Sequence, residues 1–323
     1  MKPTLVLALF LVLAAPAAAK PVDVTVMTRN LFLGTDLIPI ATADPGDPFQ
    51  QAVTKAFEDA KSSNLPARGR GVAQEIAKAR PDVVGFQELT SWYTNDKLAF
   101  QHLAPLVAEL KRLHQPYTVV NGGGGIDLHG QSSEGFDVRI KEDESLMLVR
   151  KGVRVLRRQA HPFKKQLQVP TKAAGTVTAT RSWSALDLLK DGVKFRVVDT
   201  HLEAYSTDIR LQQAKELVAG PLTAKMPVIL IGDLNSGPTL PKPEDRPPYQ
   251  AIAKAGFVPR RTPKFSCCFD DLMGAGGWDH NVDWIMTKPK VRLVRSSLTG
   301  NTKLPEGIFA SDHGGVVSTL ALP

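Results

Sequence analysis

Six short stretches of the chain carry side chains suited to acid–base or metal chemistry. They are Asn30, the pair Gln87–Glu88, His201, the pair Asp233 and Asn235, Asp283, and Ser311–Asp312–His313. Each lies at one end of an apolar run. The plainest case is VILIGDLNSGP, residues 228–238, in which a hydrophobic strand ends by presenting a carboxylate and an amide. Alone, Asp, Asn, Ser, Gly and Pro there read as a turn. Six such endings together read as a shared rim where strand ends converge. The rim holds hard oxygen donors (Asn30, Glu88, Asp312) and two imidazoles (His201, His313). Oxygen donors suit magnesium, with manganese or calcium as alternatives, and do not suit a closed zinc site. Magnesium held by one or two carboxylates commonly also meets a substrate phosphate. The chemistry that these types could perform is metal-assisted hydrolysis of a phosphoester.

Other chemistries find less support. The only cysteines, Cys267 and Cys268, are adjacent, a spacing unlike that of a zinc site. They are expected either as a vicinal disulfide or as free thiols. No G-x-S-x-G elbow surrounds Ser311, and the glycine run 122–125 does not open a helix, so neither a serine hydrolase nor a dinucleotide site is indicated. His102, His114, His129 and His161 read as surface or loop histidines, and His280 as solvated or site-related. Trp183, Trp278 and Trp284 read as packing residues, and Gln87 as a hydrogen-bonding neighbour of the site.

β-Branched and apolar runs predict strands over 22–30, 81–89, 116–121, 145–152, 176–189, 193–204, 226–236, 281–289, 291–298 and 315–322. Lys190-Asp191-Gly192 is a hairpin turn signal. Helical periodicity covers 50–63, 70–80, 97–113 and 208–220. The polar, Gly-rich segment 121–144 reads as a mobile surface loop. Strands interspersed with helices, several of them paired as hairpins, predict a mixed-sheet α/β sandwich rather than a Rossmann fold.

The ordered set Asn30, Glu88, THL (200–202), GDLN (232–235), VDWI (282–285) and SDH (311–313) resembles the endonuclease/exonuclease/phosphatase superfamily, which includes deoxyribonuclease I, sphingomyelinases and inositol polyphosphate 5-phosphatases. The resemblance runs from Val22 to Leu322. It implies an α/β fold of the deoxyribonuclease I type: a four-layer αββα sandwich of two mixed sheets flanked by helices. It implies Glu88 as the principal metal ligand, helped by Asn30 and Asp312. His313 would act on the scissile phosphate, with Asp283 holding its ring. Asp233 would orient or deprotonate the attacking water, and Asn235 would donate to a non-bridging oxygen. His201 and Arg181 would bind the phosphate. The chain departs from the family's habit at Arg29, where an aromatic usually precedes the asparagine. The segments 35–68 and 121–144 look like insertions at the site edge that govern substrate choice.

The chain has 323 residues and a net charge of +8. It opens with Lys2, an apolar stretch over 5–15 and Ala17-Ala18-Ala19, the pattern of a signal peptide cleaved after Ala19. The remainder, 20–323, is expected as one catalytic domain, monomeric, and secreted or periplasmic. Positive charge leans the substrate toward nucleic acid, so a nuclease is the first expectation. The alternatives are a phospholipid phosphodiesterase of sphingomyelinase type and a catalytically inactive phosphate-binding module.

Overall fold

The computed structural model describes residues 20–120, 122–269 and 271–323. The expected leader, 1–19, lies outside the described residues, as does Asn121, the first residue of the expected loop. Two six-stranded sheets form the centre. The first orders its strands Arg292–Thr299, Gly315–Leu322, Val22–Asn30, Val83–Gln87, Leu146–Arg150 and Tyr117–Val120. The second orders Val258–Pro259, Asp283–Thr287, Val228–Asp233, Val193–His201, Ser182–Lys190 and Arg154–Pro162.

Alternation along the strands explains the layering. Val24 and Val26 point inward between the sheets, where they meet Val197, Ile229, Ile231 and Ile285, while the next residue, Met27, points outward. That outer face packs against Val72, Ala73 and Ile76 of helix Leu65–Ala79 and Leu106 and Leu110 of helix Leu103–Arg112. The outer face of the second sheet packs against Ala214 and Leu217 of helix Thr207–Ala219 and Tyr249 and Ile252 of helix Pro247–Lys254. The order helix, sheet, sheet, helix is the expected αββα sandwich. No helix among the described residues is long and apolar enough to cross a membrane.

Three local expectations are corrected. Most of 121–144 is not a mobile loop: Asp127–Gln131 and Asp137–Glu142 pair with each other and join Thr90–Thr94 and Lys97–Gln101 in a four-stranded sheet. Val138 and Ile140 alternate inward there and pack on Trp92 and on Phe57 of helix Asp47–Ser62, a tertiary contact invisible to local composition. For the same reason the predicted helix over 97–113 starts only at Leu103, because Lys97–Gln101 is captured as a strand. The single strand expected over 176–189 is broken before Ser182. Its first part, Gly175–Ala179, forms a separate hairpin with Leu167–Thr171. The turn at 190–192 is as expected, with Asp191 and Gly192 both at positive φ.

Candidate active site

Sheet register assembles the site. Val193–His201 runs parallel to Val228–Asp233 with His201 opposite Asp233, and Asp233 is in turn opposite Asp283 on the antiparallel neighbour. Three predicted residues therefore stand in one row across the second sheet. In the first sheet Asn30 stands opposite Gln87, and the chain turns at Glu88, which adopts φ 56°. Asn235 also has positive φ, and such backbone in residues other than glycine concentrates at functional sites. Gly232 has a clear steric cause: a Cβ there would lie 2.0 Å from the carbonyl oxygen of Thr200. The GDLN stretch is thus a strand end in which glycine permits close approach to the neighbouring strand at Thr200, and Asp233 and Asn235 at its tip border the cleft.

The amide of Asn30 ties the two sheets together. Its Nδ2 donates to Glu88 Oε1 at 3.0 Å and to Asp233 Oδ2 at 3.1 Å. The second oxygen of Glu88 accepts from the Leu33 amide at 2.9 Å. Asp233 Oδ1 accepts from the Asn235 amide at 2.8 Å. Burial would raise the Asp233 carboxyl, but His201 and His313 outweigh it and hold the pKa below the usual range. Asp312 behaves oppositely. Burial pushes it up, Glu88 adds to the shift and His313 only partly opposes it. Glu88 and Asp312, both bordering the cleft, are hard-oxygen donors of the kind a magnesium-class cation takes. A second gathering, Asp233, Asp283 and His313, brings its ligand atoms within 4.8 Å of one another.

His313 sits against Asp283, with Nδ1 3.1 Å from both carboxylate oxygens. Ser266 donates to Asp283 Oδ2 at 2.8 Å and fixes it in turn. Burial pulls the imidazole pKa down, but Asp283 and Asp312 outweigh that and raise it well above its ordinary value. Nε2 is left facing the site, 3.9 Å from Asp233 and 4.0 Å from Asp312. The sulfurs of Cys267 and Cys268, which are disulfide-bonded to each other, lie 3.6 and 3.5 Å from the same Nε2.

His201 lies deeper. Its Nδ1 is 2.8 Å from Glu144 Oε1, and its Nε2 is 3.1 Å from Asn235 Nδ2. The Asn235 amide also donates to the Leu202 carbonyl at 2.9 Å, which fixes the orientation of its nitrogen. Nε2 of His201 therefore accepts from Asn235 and Nδ1 donates to Glu144. Burial and Arg181 depress this imidazole, yet Glu144 and Asp233 raise it on balance. Arg181 borders the cleft, but its guanidinium is engaged from behind by Glu144 at 2.6 Å.

Several supporting residues were missed or misread in sequence. Glu144 is fully buried between His201 and Arg181, yet it falls in a polar run that reads as loop. Arg29 is no defect: buried, it pairs with Glu75 at 3.0 Å and donates to the carbonyl of His313, so it braces the SDH loop. Arg68, also buried, donates to the carbonyls of Leu31, Phe32 and Ala310, binding the exit of the first strand to the same loop. Gln87 turns away from the rim, donating to Asp199 at 2.7 Å between the sheets. His102 is wholly buried, not a surface histidine, and accepts from the Thr90 amide at 3.2 Å. Trp183 and Trp284 are core residues, as expected. His280 is bonded to the exposed Asp279 at the cleft edge.

A cleft of about 650 Å³ opens over these groups, with Glu88, His201, Asp233 and His313 at its floor.

The Endonuclease/Exonuclease/phosphatase family model matches residues 56–313. No curated protein sequence matches the chain. Among solved structures, a Bacteroides thetaiotaomicron protein of the same family aligns with TM-score 0.60 at 15% identity, over 95% of this chain and 97% of its own. A mannosyl-6-phosphatase from the same organism gives 0.56 at 15% identity, over 92% and 99%. D. rerio TDP2 complexed with a single-strand DNA product gives 0.52 at 19% identity, over 92% and 98%. At these identities the likeness is one of fold.

Proposed function

Because the chain belongs to the endonuclease/exonuclease/phosphatase family, whose members are metal-dependent phosphoesterases, we propose that it hydrolyses a phosphodiester at the rim just described. The observation that carries the reading is the row His201, Asp233, Asp283 facing Asn30 and Glu88 across one amide. Glu88 and Asp312, with Asn30 beside them, would hold the divalent cation, magnesium by donor type. When bound, the ion supplies positive charge to a phosphate oxygen.

This chain's own groups do the rest. Asp233, ionised by its two histidines, accepts a hydrogen bond from the attacking water and takes its proton as the new P–O bond forms. His313, protonated and held by Asp283, gives its Nε2 proton to the departing oxygen as the old P–O bond breaks. The products are a phosphomonoester and an alcohol. Arg181, backed by Glu144, adds its positive field to a non-bridging oxygen whose charge grows in the transition state, while His201 and Asn235, hydrogen-bonded to each other, hold the floor beneath it in place. The same proposal holds that 20–323 acts as one monomeric, exported domain.

A nuclease is the second reading. The net charge of +8 favours it, and exposed Arg157 and Arg158 on the outer strand Arg154–Pro162 could meet a polyanion. The test is hydrolysis of bis-(p-nitrophenyl) phosphate, plasmid DNA and RNA with magnesium, manganese or calcium, repeated in chelator. Metal-dependent turnover of the small diester is expected, and its persistence in chelator would overturn the reading. A steep fall of DNA cleavage with salt, lost on replacing Arg157 and Arg158 by alanine, would favour the nuclease.

A further inference from the structure

The cleft above the rim is walled mostly by hydrocarbon. One wall is the segment after the first strand, with Leu37 and Ile40; helix Ile38–Thr42 packs there against the strand Leu167–Thr171. Facing it are Leu128 from Asp127–Gln131 and Leu167, Val169 and Val177 from the hairpin Leu167–Thr171/Gly175–Ala179. The two sides are clasped at the top, where Lys172 of the hairpin turn reaches Asp44 at 2.7 Å. The same walls border Glu88, His201, Asp233 and His313, so they form a chamber continuous with the reacting centre.

The chamber's charge is equally informative. Among its described lining residues the sole lysine or arginine is Arg181, which is engaged by Glu144. A polynucleotide needs cations along its backbone on both sides of the cleaved bond, because phosphate contacts supply most of its affinity. The exposed Arg154, Arg157 and Arg158 lie on the strand Arg154–Pro162 and the exposed Arg292 and Arg295 on Arg292–Thr299, all outside this lining. The volume of about 650 Å³ falls in the range of small-molecule sites, about 300–1,000 Å³.

We propose that the substrate is an amphiphilic phosphodiester whose single aliphatic chain lies in this chamber while its phosphate rests on the rim. The proposal rests on phosphodiester hydrolysis at the site and names what that hydrolysis selects. Selection comes from the segment 35–49 and the hairpin 167–179 rather than from the catalytic groups. Water attacks phosphorus, the bond to the leaving oxygen breaks, and that oxygen takes the proton, whatever chain the phosphate carries.

The experiment is a chain-length series of p-nitrophenyl alkyl phosphodiesters, methyl, butyl, hexyl and octyl, each kept below its aggregation threshold. With the wild-type protein, kcat/KM is expected to rise by up to about fourfold per added methylene until the chamber is filled. Replacing Val169 and Val177 together by asparagine is expected to cost the octyl substrate about tenfold or more and to leave the methyl substrate unchanged. A flat series with the methyl ester still hydrolysed would overturn the chamber's role and leave the hydrolase reading standing. Absence of turnover on every diester would overturn the hydrolase reading itself. An oligonucleotide cleaved with higher kcat/KM than the octyl diester would also overturn the proposal. The wild-type series decides the matter even if the double variant fails to fold.

Discussion

Replacing Asp283 by asparagine tests the pairing on which the proton-donating half of the mechanism depends. The side chain of Asp283 is 1% exposed and that of His313 is 8%, so solvent screens the pair little. At 3.1 Å and an effective dielectric of about 20, their attraction is roughly 5 kcal/mol, an upper bound before desolvation is subtracted. Asparagine keeps the shape and loses the charge. It also presents an NH₂ or a neutral oxygen to Nδ1, so neither the tautomer nor the proton on Nε2 is secured. A positioned general acid contributes about 10²–10⁴-fold. His313→Ala should therefore slow kcat by that amount, and Asp283→Asn should come within about tenfold of the same loss. The double variant should lose no more than His313→Ala alone, because the carboxylate acts only through the ring. The assay is kcat on a dialkyl phosphodiester, whose alcohol leaves only with a proton, at saturating magnesium, with thermal melts to confirm folding. Losses that multiply across the double variant would refute the pairing.

Two further predictions follow from buried groups. Glu144→Gln leaves Arg181 and His201 without their shared carboxylate. It should cost about 3 kcal/mol of stability, seen in denaturant melts, together with a drop in kcat of about 10²-fold; a silent substitution would contradict the assigned role. His102 gives a pH signature. Burial, with Arg68 adding to it, holds its pKa well below the ordinary value, so the folded state keeps it neutral. Below about pH 6.5 the unfolded chain binds a proton that the folded one refuses, and stability falls by up to about 1.4 kcal/mol per pH unit until the folded pKa is reached. His102→Asn, whose oxygen can still accept from the Thr90 amide, removes this penalty. The stability gap between wild type and variant should narrow by about 2 kcal/mol from pH 7 to pH 5, whereas parallel curves would contradict it.

Much of the site was legible because the side chains that meet at the rim end apolar strands in sequence order. Strand ends are local features, and the αββα layering follows from alternation that can be read one strand at a time. What stayed hidden depends on contacts between distant segments. Glu144 looks like part of a polar loop until the strand Asp137–Glu142 packs its apolar face on Trp92 and carries the acid to His201. Arg29 and Arg68 look like surface charges until Glu75 and a set of backbone carbonyls absorb their donors inside the protein. The basic balance of the chain pointed to nucleic acid, but net charge does not say where the charges lie. Here the cleft is lined by leucine, isoleucine and valine while arginines occupy an outer strand.

The central claim is that a divalent cation held at Glu88 enables this rim to cleave a phosphodiester. The most direct measurement is turnover of bis-(p-nitrophenyl) phosphate against magnesium concentration for the wild type and Glu88→Gln, with magnesium binding followed by calorimetry on the same samples. Saturable, chelator-sensitive turnover is expected in the wild type, with loss of both activity and binding in the folded variant. Wild-type-like turnover by Glu88→Gln, or undiminished hydrolysis in excess chelator, would contradict it.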